Sequence, residues 1–443
     1  MHAVSTFTRA ATPETEIAGT GLAFGFLLLV AFFGGRFFKS IRLPRLTGYI
    51  AAGIVAGDQV LHLVTHEMVE SLSLVNGVAV CLIALTAGGE LNLKRVRPLL
   101  KTIAHTTIWA VVGTALVLGV VVFAMRDWLP FLRGRDLAQV AAICGLLGVT
   151  LSAQSPAVVT ALLTETQSDG PLSRTILALV VIADLVVIVL FTLFSSVCQA
   201  ALGQGADVGQ VVRSVAWELL GSMGVGTAIG LVLWLYIRRV ERGAALFVLL
   251  LCAVVAEVAR RIHLDSLIVM LAAGMFVENV GKDVGSKLIH DIEGASLPVF
   301  AVFFALAGAH LRIDLLIASI VPAAIIVGSR GLGFFVGGRI GTALGNAEPV
   351  VRRYAWMGLV PQAGLAIALA TLMERTFPSF GAQAGALVLG VIGCNEIVAP
   401  VFLRFALVRS GEAGKRGTRE FATKSIPPPA PAQSAPSALP GGS

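Results

Sequence analysis

The stretch VVIADLVVIVLF, residues 180–191, is an apolar run that is interrupted only by Asp184. The nearest charged residues on either side are Arg174 and Asp207, so the run lies inside a long uncharged segment. Ten helical residues rise about 15 Å, which is half the hydrocarbon thickness of a bilayer, so Asp184 is expected near the midplane. A carboxylate at that depth costs about 2.5–3.5 kcal/mol, and we therefore expect it to have a function.

The composition indicates an all-α polytopic membrane protein. Of the 443 residues, 56% are hydrophobic and only 13% are charged, and the mean hydropathy is +0.87. A soluble globular protein carries about 25% charged residues. Apolar stretches of helical length recur from residue 19 to residue 409, and the alternation typical of a transmembrane β-barrel is absent from the sequence. The net charge of +7 comes from basic residues at predicted helix ends, which is typical of membrane topology and does not indicate nucleic-acid binding.

About thirteen transmembrane helices can be drawn from these stretches. The connections rich in Lys and Arg include residues 39–45, 94–97, 238–242 and 352–353, all of which fall on one side of the membrane if this count holds. Because positively charged connections stay in the cytoplasm, the N-terminus is predicted outside and the C-terminus inside. The predicted spans are residues 19–38, 45–61, 73–89, 99–125, 138–163, 171–198, 211–237, 243–260, 266–279, 296–310, 316–340, 353–373 and 383–409.

Four pairs of similar segments, in the same order, predict an internal repeat. YIAAGIVAGD (49–58) resembles MLAAGMFVEN (270–279), and ADLVV (183–187) resembles NEIVA (395–399). The other two pairs are ALTAGGELNL (84–93) with FALAGAHLRI (304–313), and QSPAVVTALLTE (154–165) with QAGLAIALATLM (362–373). A displacement of seven helices inverts the second copy in the membrane, so the pattern predicts a 6+1+6 inverted repeat, which is typical of alternating-access transporters.

The repeat divides the chain into five predicted segments. They are an N-terminal extracytoplasmic segment (1–18), repeat one (19–198), a linker helix (211–237), repeat two (243–409) and a cytoplasmic tail (411–443). The tail is rich in Pro, Ala and Ser, and it is predicted to be disordered.

One predicted helix in each repeat contains a break. In GVTLSAQSPAVV (148–159), the hydroxyl side chains of Thr150, Ser152 and Ser155 precede Pro156, which removes a backbone hydrogen-bond donor. Carbonyl groups freed inside a membrane must be met by protein, water or an ion. We therefore predict that these three hydroxyl groups and the freed carbonyls surround a site near the midplane.

The matching break in repeat two is GLVPQAGLA (358–366), where Pro361 and Gln362 lie between Gly358 and Gly364. Interrupted helices at corresponding places in the two halves are the best sequence pointer to a binding site at the midplane.

Two further charged residues lie deep in apolar segments. Arg330 is nine residues from Arg339 at the predicted helix end, about 13 Å away, so it is a candidate counter-charge for buried carboxylates or helix ends. Glu396 occupies the place of Asp184 in the second repeat, and it could either bind substrate or pair with a broken-helix end.

Several of these motifs resemble those of bacterial monovalent cation:proton antiporters. RLPRLTGYIAAGIVAGD (42–58) is similar to the opening of that family, and LIALTAGGELNLKRVR (82–97) is similar to its Ala-Gly-x-Glu-Leu segment. Segments 256–275, 358–370 and 395–407 resemble its later helices. The resemblance covers roughly residues 20–409.

The resemblance implies an antiporter fold with crossed broken helices, a dimerisation domain, a homodimer and a location in the bacterial inner membrane. It also implies that Asp184 is the ion-binding aspartate of the sixth helix. The sequence departs from the family at Ala183, where relatives carry Asp, Asn or Gln, and at Ser155, where many carry an acidic residue. The lysine that some electrogenic members place on the tenth helix is missing from residues 297–309.

The predicted function is secondary active exchange of a monovalent cation for H⁺, with both competing for Asp184. Desolvation disfavours the charged carboxylate, and either a proton or a cation neutralises it. Exchange of this kind needs neither a cofactor nor ATP, and the sequence has no Walker-type loop, so no enzyme activity is predicted. Na⁺ is the first choice of cation, and a K⁺/H⁺ efflux antiporter, a degenerate transporter-like sensor and a sodium-coupled solute symporter are the alternatives. A single carboxylate at Asp184 predicts one-for-one electroneutral exchange, unless Glu396 also titrates.

Overall fold

The structure, a computed structural model, describes residues 13–65, 68, 71–203, 209, 213, 216–240, 244–262, 264–280, 284–311 and 320–415. The first part of the predicted N-terminal segment, most of the predicted tail and the start of the predicted linker helix lie outside the described residues. Over the described ranges the regular structure is entirely helical, as the composition predicted.

Helices of the first repeat follow the predicted spans closely. They are α1 (Pro13–Ser40), α2 (Arg45–Ala56), α3 (Ser73–Glu90), α4 (Leu93–Ala124, with a 3₁₀ turn at Arg97–Leu99 and a π-helical stretch at Thr107–Val112), α5 (Leu137–Ser152), α6 (Pro156–Thr166) and α7 (Pro171–Ala201). The predicted fifth span is therefore two helices, α5 and α6, that are separated by three residues.

Helix α8 (Trp217–Arg239) links the repeats, and helices of the second repeat follow it. They are α9 (Ala244–Arg261), α10 (Ser266–Val280), α11 (Val284–Ala309), α12 (Ile320–Leu344), α13 (Pro349–Tyr354, continued by a 3₁₀ turn at Ala355–Gly358), α14 (Gly364–Thr376) and α15 (Gly381–Arg409). The predicted twelfth span is thus also broken, between residues 359 and 363.

Length and composition identify the membrane-crossing elements within the described part of the chain. Seven helices or helix pairs are long and apolar enough to cross a bilayer, and three shorter apolar helices accompany them, at Arg45–Ala56, Ser266–Val280 and Pro298–Ala309. The protein is therefore a multi-pass membrane protein, and the number of thirteen crossings stays a prediction.

Local sequence explains where the helices that flank the first break begin. Asp136 caps α5, since its side chain accepts a hydrogen bond from the backbone N–H of Ala138. Ser155 caps α6 through the N–H of Val158, and Pro156 occupies the first position of that helix, where no backbone donor is needed.

The helices pack as two bundles. The first contains α1, α2, α3, α8, α9, α10 and α11, and the second contains α4 to α7 and α12 to α15. Contacts of α6 with α2 and α3, and of α15 with α2, join the bundles. Both breaks lie in the second bundle.

Two glycines of repeat one allow close helix crossings in the first bundle. Gly88 of α3 lies against the backbone of Leu271 in α10, and Gly53 of α2 lies against the backbone of Ala305 in α11. A Cβ at either glycine would collide with backbone atoms, so the helices approach this closely only because the residue is Gly. In both cases a helix from the first half of the chain crosses a helix from the second half.

Candidate functional site

The two helix breaks meet at the side chain of Arg330, which α12 places at the centre of the second bundle. Its Nε atom donates to the carbonyl of Leu151 at 2.8 Å, and its Nη2 atom donates to the carbonyl of Ala153 at 2.6 Å. From the other break it reaches the carbonyls of Val360 (Nη1, 2.5 Å) and Leu359 (Nη2, 3.4 Å). The guanidinium therefore stabilises backbone carbonyls that the interrupted helices leave without an intrahelical donor.

Arg330 is fully buried, and its environment explains why it does not reach solvent. Its guanidinium carbon lies 4.7 Å from the centre of the Phe334 ring, one turn further along α12. A planar cation with five donors suits several carbonyls at fixed positions. The sequence suggested two kinds of partner for Arg330, which were helix ends and buried carboxylates. In the structure its guanidinium binds the helix ends.

Gln362 and Asn395 extend this network towards α15. The Gln362 amide donates to the carbonyl of Leu151 at 3.3 Å, and its oxygen accepts from the Asn395 amide at 2.9 Å. Sequence analysis singled out Gln362 but did not single out Asn395. The signal was present, because Asn395 is a polar residue in an apolar run at the position that matches Ala183 of the first repeat.

The three hydroxyl residues at the first break have different environments. Thr150 and Ser152 are fully buried and donate within α5, to the carbonyls of Leu146 (2.9 Å) and Val149 (2.8 Å). Ser155 instead accepts from the backbone of Val158 at 3.2 Å. Of the three, only Ser155 lines the cavity between the two helix bundles.

A cavity of about 570 Å³ lies between the two bundles. The first bundle contributes residues of α3, α10 and α11, and the second contributes residues of α6, α7, α14 and α15. The polar and titratable side chains of its lining are Asn76, Ser155, Asp184, Asp265, His310, Thr371, Glu374 and Glu396. His310 and Glu374 are exposed, and they line the cavity at the face where α3 and α10 begin and α11 and α14 end.

Asp184 and Glu396 are the buried carboxylates of this cavity that lie in the middle of long helices. Asp184 is 7% exposed and Glu396 is 3% exposed. Over the described residues, one oxygen of each, Oδ1 of Asp184 and Oε1 of Glu396, has no hydrogen-bond partner. Because a buried charge without a partner costs free energy, both side chains are suited to accept a proton or a cation.

Asp265 is a third carboxylate in the cavity, and it has a structural role. Its Oδ1 atom accepts hydrogen bonds from the backbone N–H groups of Leu267 (2.7 Å) and Ile268 (3.2 Å), so it caps the N-terminus of α10. Sequence analysis did not single it out, although an Asp directly before an apolar helix is a recognised start signal.

Clusters of three or more His, Cys, Asp or Glu side chains that could hold a metal ion do not occur in the part of the chain that the structure describes. The described carboxylates of the cavity therefore do not form such a cluster.

Comparisons with known proteins agree with this architecture. The family model described as "Sodium/hydrogen exchanger, transmembrane" matches residues 27–409. A sodium proton antiporter structure, MjNhaP1 from Methanocaldococcus jannaschii at pH 8, superposes with a TM-score of 0.63 at 14% identity, covering 89% of this chain and 98% of that one. A second structure of the same protein gives a TM-score of 0.69 at 14% identity, covering 96% of this chain and 100% of that one. At this identity the likeness shows the fold.

Two curated proteins are similar over part of their length. "Iron transporter MagA" of Paramagnetospirillum magneticum is 27% identical over 217 residues, which are 48% of this chain and 44% of that protein. "Na(+)/H(+) antiporter NhaP" of Pseudomonas aeruginosa is 26% identical over 141 residues, which are 31% of this chain and 33% of that protein. The matched regions thus span less than half the length of either relative.

Proposed function

The chain belongs to the sodium/hydrogen exchanger transmembrane family, and from this premise we propose that it exchanges a monovalent cation for H⁺ across the membrane. The observation that carries the proposal is Asp184, a buried carboxylate in the middle of α7 that lines a cavity between two helix bundles. The name of the Pseudomonas relative supports the same reaction.

Asp184 is the proposed site of competition between the proton and the cation. Taking a bare carboxylate across the bilayer is costly, whereas a proton or a monovalent cation on Asp184 makes the site neutral. Only the two loaded forms would then change access, and this coupling makes the protein an exchanger. Ser155, whose hydroxyl lines the same cavity, is the proposed neutral oxygen ligand. Thr150 and Ser152 lie behind it, and we propose that they support the backbone of the break.

Arg330 and Gln362 have a proposed architectural role beside this site. Their N–H groups donate to carbonyls of both breaks, so these carbonyls do not need a cation as a partner. The breaks are therefore stable in the membrane while the cation stays at Asp184. Pro156 and Pro361 maintain the breaks, because neither residue has a backbone N–H.

Alternating access would occur between the two bundles. Exposed residues line the cavity at the face where α3 begins, and at the opposite face the bundles are in polar contact. There the Glu165 carboxylate at the end of α6 accepts from the backbone N–H of Arg45 at 2.8 Å, and Arg404 of α15 donates to the carbonyl of Arg42. These contacts close the second face, and they would have to break for the cavity to open on that side.

The positively charged connections support a location of this closed face in the cytoplasm, with the N-terminus outside and the C-terminus inside. We propose that the protein lies in a bacterial plasma membrane as a homodimer, in which the first bundle supplies the dimer interface. The exposed apolar residues of α8 and α9, among them Leu231, Leu235, Leu246 and Leu250, are available for lipid or for a second copy.

The test is cation-driven proton flux in proteoliposomes that contain the purified protein and an internal pH dye. An inward gradient of Na⁺ or K⁺ should drive H⁺ out, whereas a choline gradient should not. The comparison of Na⁺ with K⁺ decides the selectivity. Lack of proton movement with every monovalent cation would refute the proposal and favour a sensor without transport.

A further inference from the structure

We propose that Glu396 is a second proton carrier in the cavity, so that two protons are exchanged for one monovalent cation. This inference rests on the proposed function and gives its stoichiometry. It differs from the one-for-one exchange that a single carboxylate at Asp184 predicts.

The first ground is the position of the side chain. Glu396 lies in the middle of α15, lines the same cavity as Asp184, is 3% exposed, and leaves Oε1 without a hydrogen-bond partner among the described residues. It is not needed to hold the second break, because Arg330 donates to the carbonyl of Val360 and Asn395 donates to the side chain of Gln362. A buried carboxylate with no structural partner would be replaced by an apolar side chain at no loss to the fold, so its presence points to a role in transport.

The second ground is the absence of a compensating cation. Within the described part of the chain, no Lys, Arg or His forms an ion pair with Glu396. Arg330, the deep cation of α12, directs its guanidinium to four backbone carbonyls. Arg404, two turns further along α15, donates to the carbonyl of Arg42. The Glu396 carboxyl group is therefore available to exchange a proton with the cavity.

The helices packed against α15 bring few other charges. Helix α5 and the 3₁₀ turn at 355–358 contain none. The titratable or charged groups of the remaining neighbours are Arg330 and Arg339 of α12, Glu374 and Arg375 of α14, Glu165 of α6, and Arg45 and Tyr49 of α2. Glu374 is exposed where α14 ends, and Glu165 accepts from the N-terminus of α2. Protons and cations are thus the groups left to balance Glu396.

The charge balance then fixes the stoichiometry. In the proton-loaded form Asp184 and Glu396 are both carboxylic acids, and the site is neutral. When the cation binds, each carboxyl group releases its proton to water, and one monovalent cation in the cavity takes the place of two protons, so the cation-loaded site carries one net negative charge. One full cycle moves two protons in one direction and one cation in the other, so that one positive charge moves with the protons.

The experiment measures the pH difference that just stops proton flux against a tenfold Na⁺ gradient, with the membrane potential held at zero by valinomycin and equal K⁺. A tenfold concentration ratio carries the same free energy for H⁺ as for Na⁺. The pH difference that opposes a tenfold Na⁺ gradient is therefore about 0.5 unit if two protons move per cation, and about 1.0 unit if one proton moves. If K⁺ proves to be the cation, the same measurement uses a K⁺ gradient and another potential clamp.

We expect proton flux through the wild-type protein to stop at a pH difference of about 0.5 unit. Flux through Glu396→Gln should stop at about 1.0 unit, which is a twofold shift. Glu396→Asp, which keeps the acid, and Glu348→Gln, an exposed carboxylate before α13, should both keep the wild-type value. A wild-type balance at the larger value would overturn the proposal even if Glu396→Gln were inactive. A balance that Glu396→Gln leaves unchanged would also overturn it. If wild-type protein moved no protons with any cation, the proposed function itself would fail.

Discussion

The Arg330 Nε atom lies 2.8 Å from the carbonyl oxygen of Leu151, although 179 residues separate the two in the chain. The same guanidinium reaches the carbonyl of Val360, so one side chain joins the broken helices of the two repeats. A cation at the crossing of two breaks compensates the carbonyl dipoles there, and the carboxylates of the cavity remain free for protons and cations.

Replacement of Arg330 should therefore destabilise the protein. We expect Arg330→Ala to lose about 3–5 kcal/mol of stability, because the carbonyls of both breaks stay buried without donors. Arg330→Lys should retain part of the stability, since an ammonium group has three donors but not the planar arrangement. Thermal unfolding in detergent measures the difference. The control is Arg339→Ala, an exposed arginine of the same helix, and equal unfolding temperatures for Arg330→Ala and Arg339→Ala would contradict the role.

Asp184→Asn should abolish cation-dependent proton flux and leave folding intact. The amide has nearly the shape of the carboxylic acid, but it can neither bind a proton in the pH range of transport nor neutralise a cation. Flux in proteoliposomes and gel-filtration behaviour are the two measurements. Asp127→Asn, whose side chain is 82% exposed, is the matched control and should transport normally. Normal flux in purified Asp184→Asn protein would rule out Asp184 as the exchange site.

Ser155→Ala should weaken apparent cation affinity more than Thr150→Ala does. Ser155 lines the cavity, whereas Thr150 lies behind it and donates within its own helix. Removal of one neutral ligand costs about 1 kcal/mol, which is about a fivefold rise in the half-saturating cation concentration. The same change removes the cap of α6, so the control is Ser155→Gly, which lacks the hydroxyl but costs only a few tenths of a kcal/mol at a cap position. Ser155→Gly should weaken cation affinity as much as Ser155→Ala does. If Ser155→Ala leaves the half-saturating concentration unchanged, Ser155 is not a ligand.

Glu165→Ala should loosen the closed face between the bundles. The carboxylate accepts from the N–H of Arg45, so its loss removes a contact that holds α6 against the start of α2. The open form of this face should become more populated by about fivefold, for a contact worth about 1 kcal/mol. Hydrogen exchange of the backbone amides of residues 45–47 is the measurement. Glu257→Ala, which removes an ion pair to Arg261 within α9, should leave that exchange unchanged.

Glu412 should stabilise the N-terminus of α7, the helix that bears Asp184. Its carboxylate accepts from the N–H groups of Leu172 and Ser173, each at 2.8 Å, and from the Ser173 hydroxyl at 2.6 Å. A charged cap at a helix N-terminus contributes about 1–2 kcal/mol, so Glu412→Ala should lower the unfolding temperature.

Ser173→Ala, which removes one of these three bonds, should have a smaller effect than Glu412→Ala. Glu348→Ala, at another helix start where no side-chain cap is made, is the control. An unfolding temperature of Glu412→Ala equal to that of this control would show that the contact does not stabilise α7.

Some features of the site could be predicted from the sequence because local patterns set them. The uncharged run around Asp184 indicates both a membrane helix and a functional carboxylate. Pro156 and Pro361 mark the breaks, because a missing backbone donor interrupts a helix wherever it occurs. The four ordered pairs of similar segments indicate the inverted repeat. The first two signals are local, whereas the repeat is read by comparing segments from the two halves of the chain.

The partners of the buried polar groups could not be predicted in the same way. Backbone carbonyls are chemically alike along the chain, so the sequence does not indicate that Arg330 would choose those of Leu151 and Val360. The cap that Glu412 provides for Ser173 depends on a segment 239 residues away. Neither contact leaves a local pattern, because each depends on where distant helices come to lie.

Hydrophobic length and proline chemistry act locally, so the membrane class, the two breaks and the buried Asp184 could be predicted from the amino-acid sequence. The packing of the helices determines which polar groups face the cavity. It placed Ser155 and Glu396 beside the space that Asp184 lines, and it placed Thr150 and Ser152 behind that space. The physical reason is that the orientation of a side chain in a helix bundle depends on the packing of neighbouring helices, and in this protein close glycine crossings such as that of Gly88 contribute to that packing.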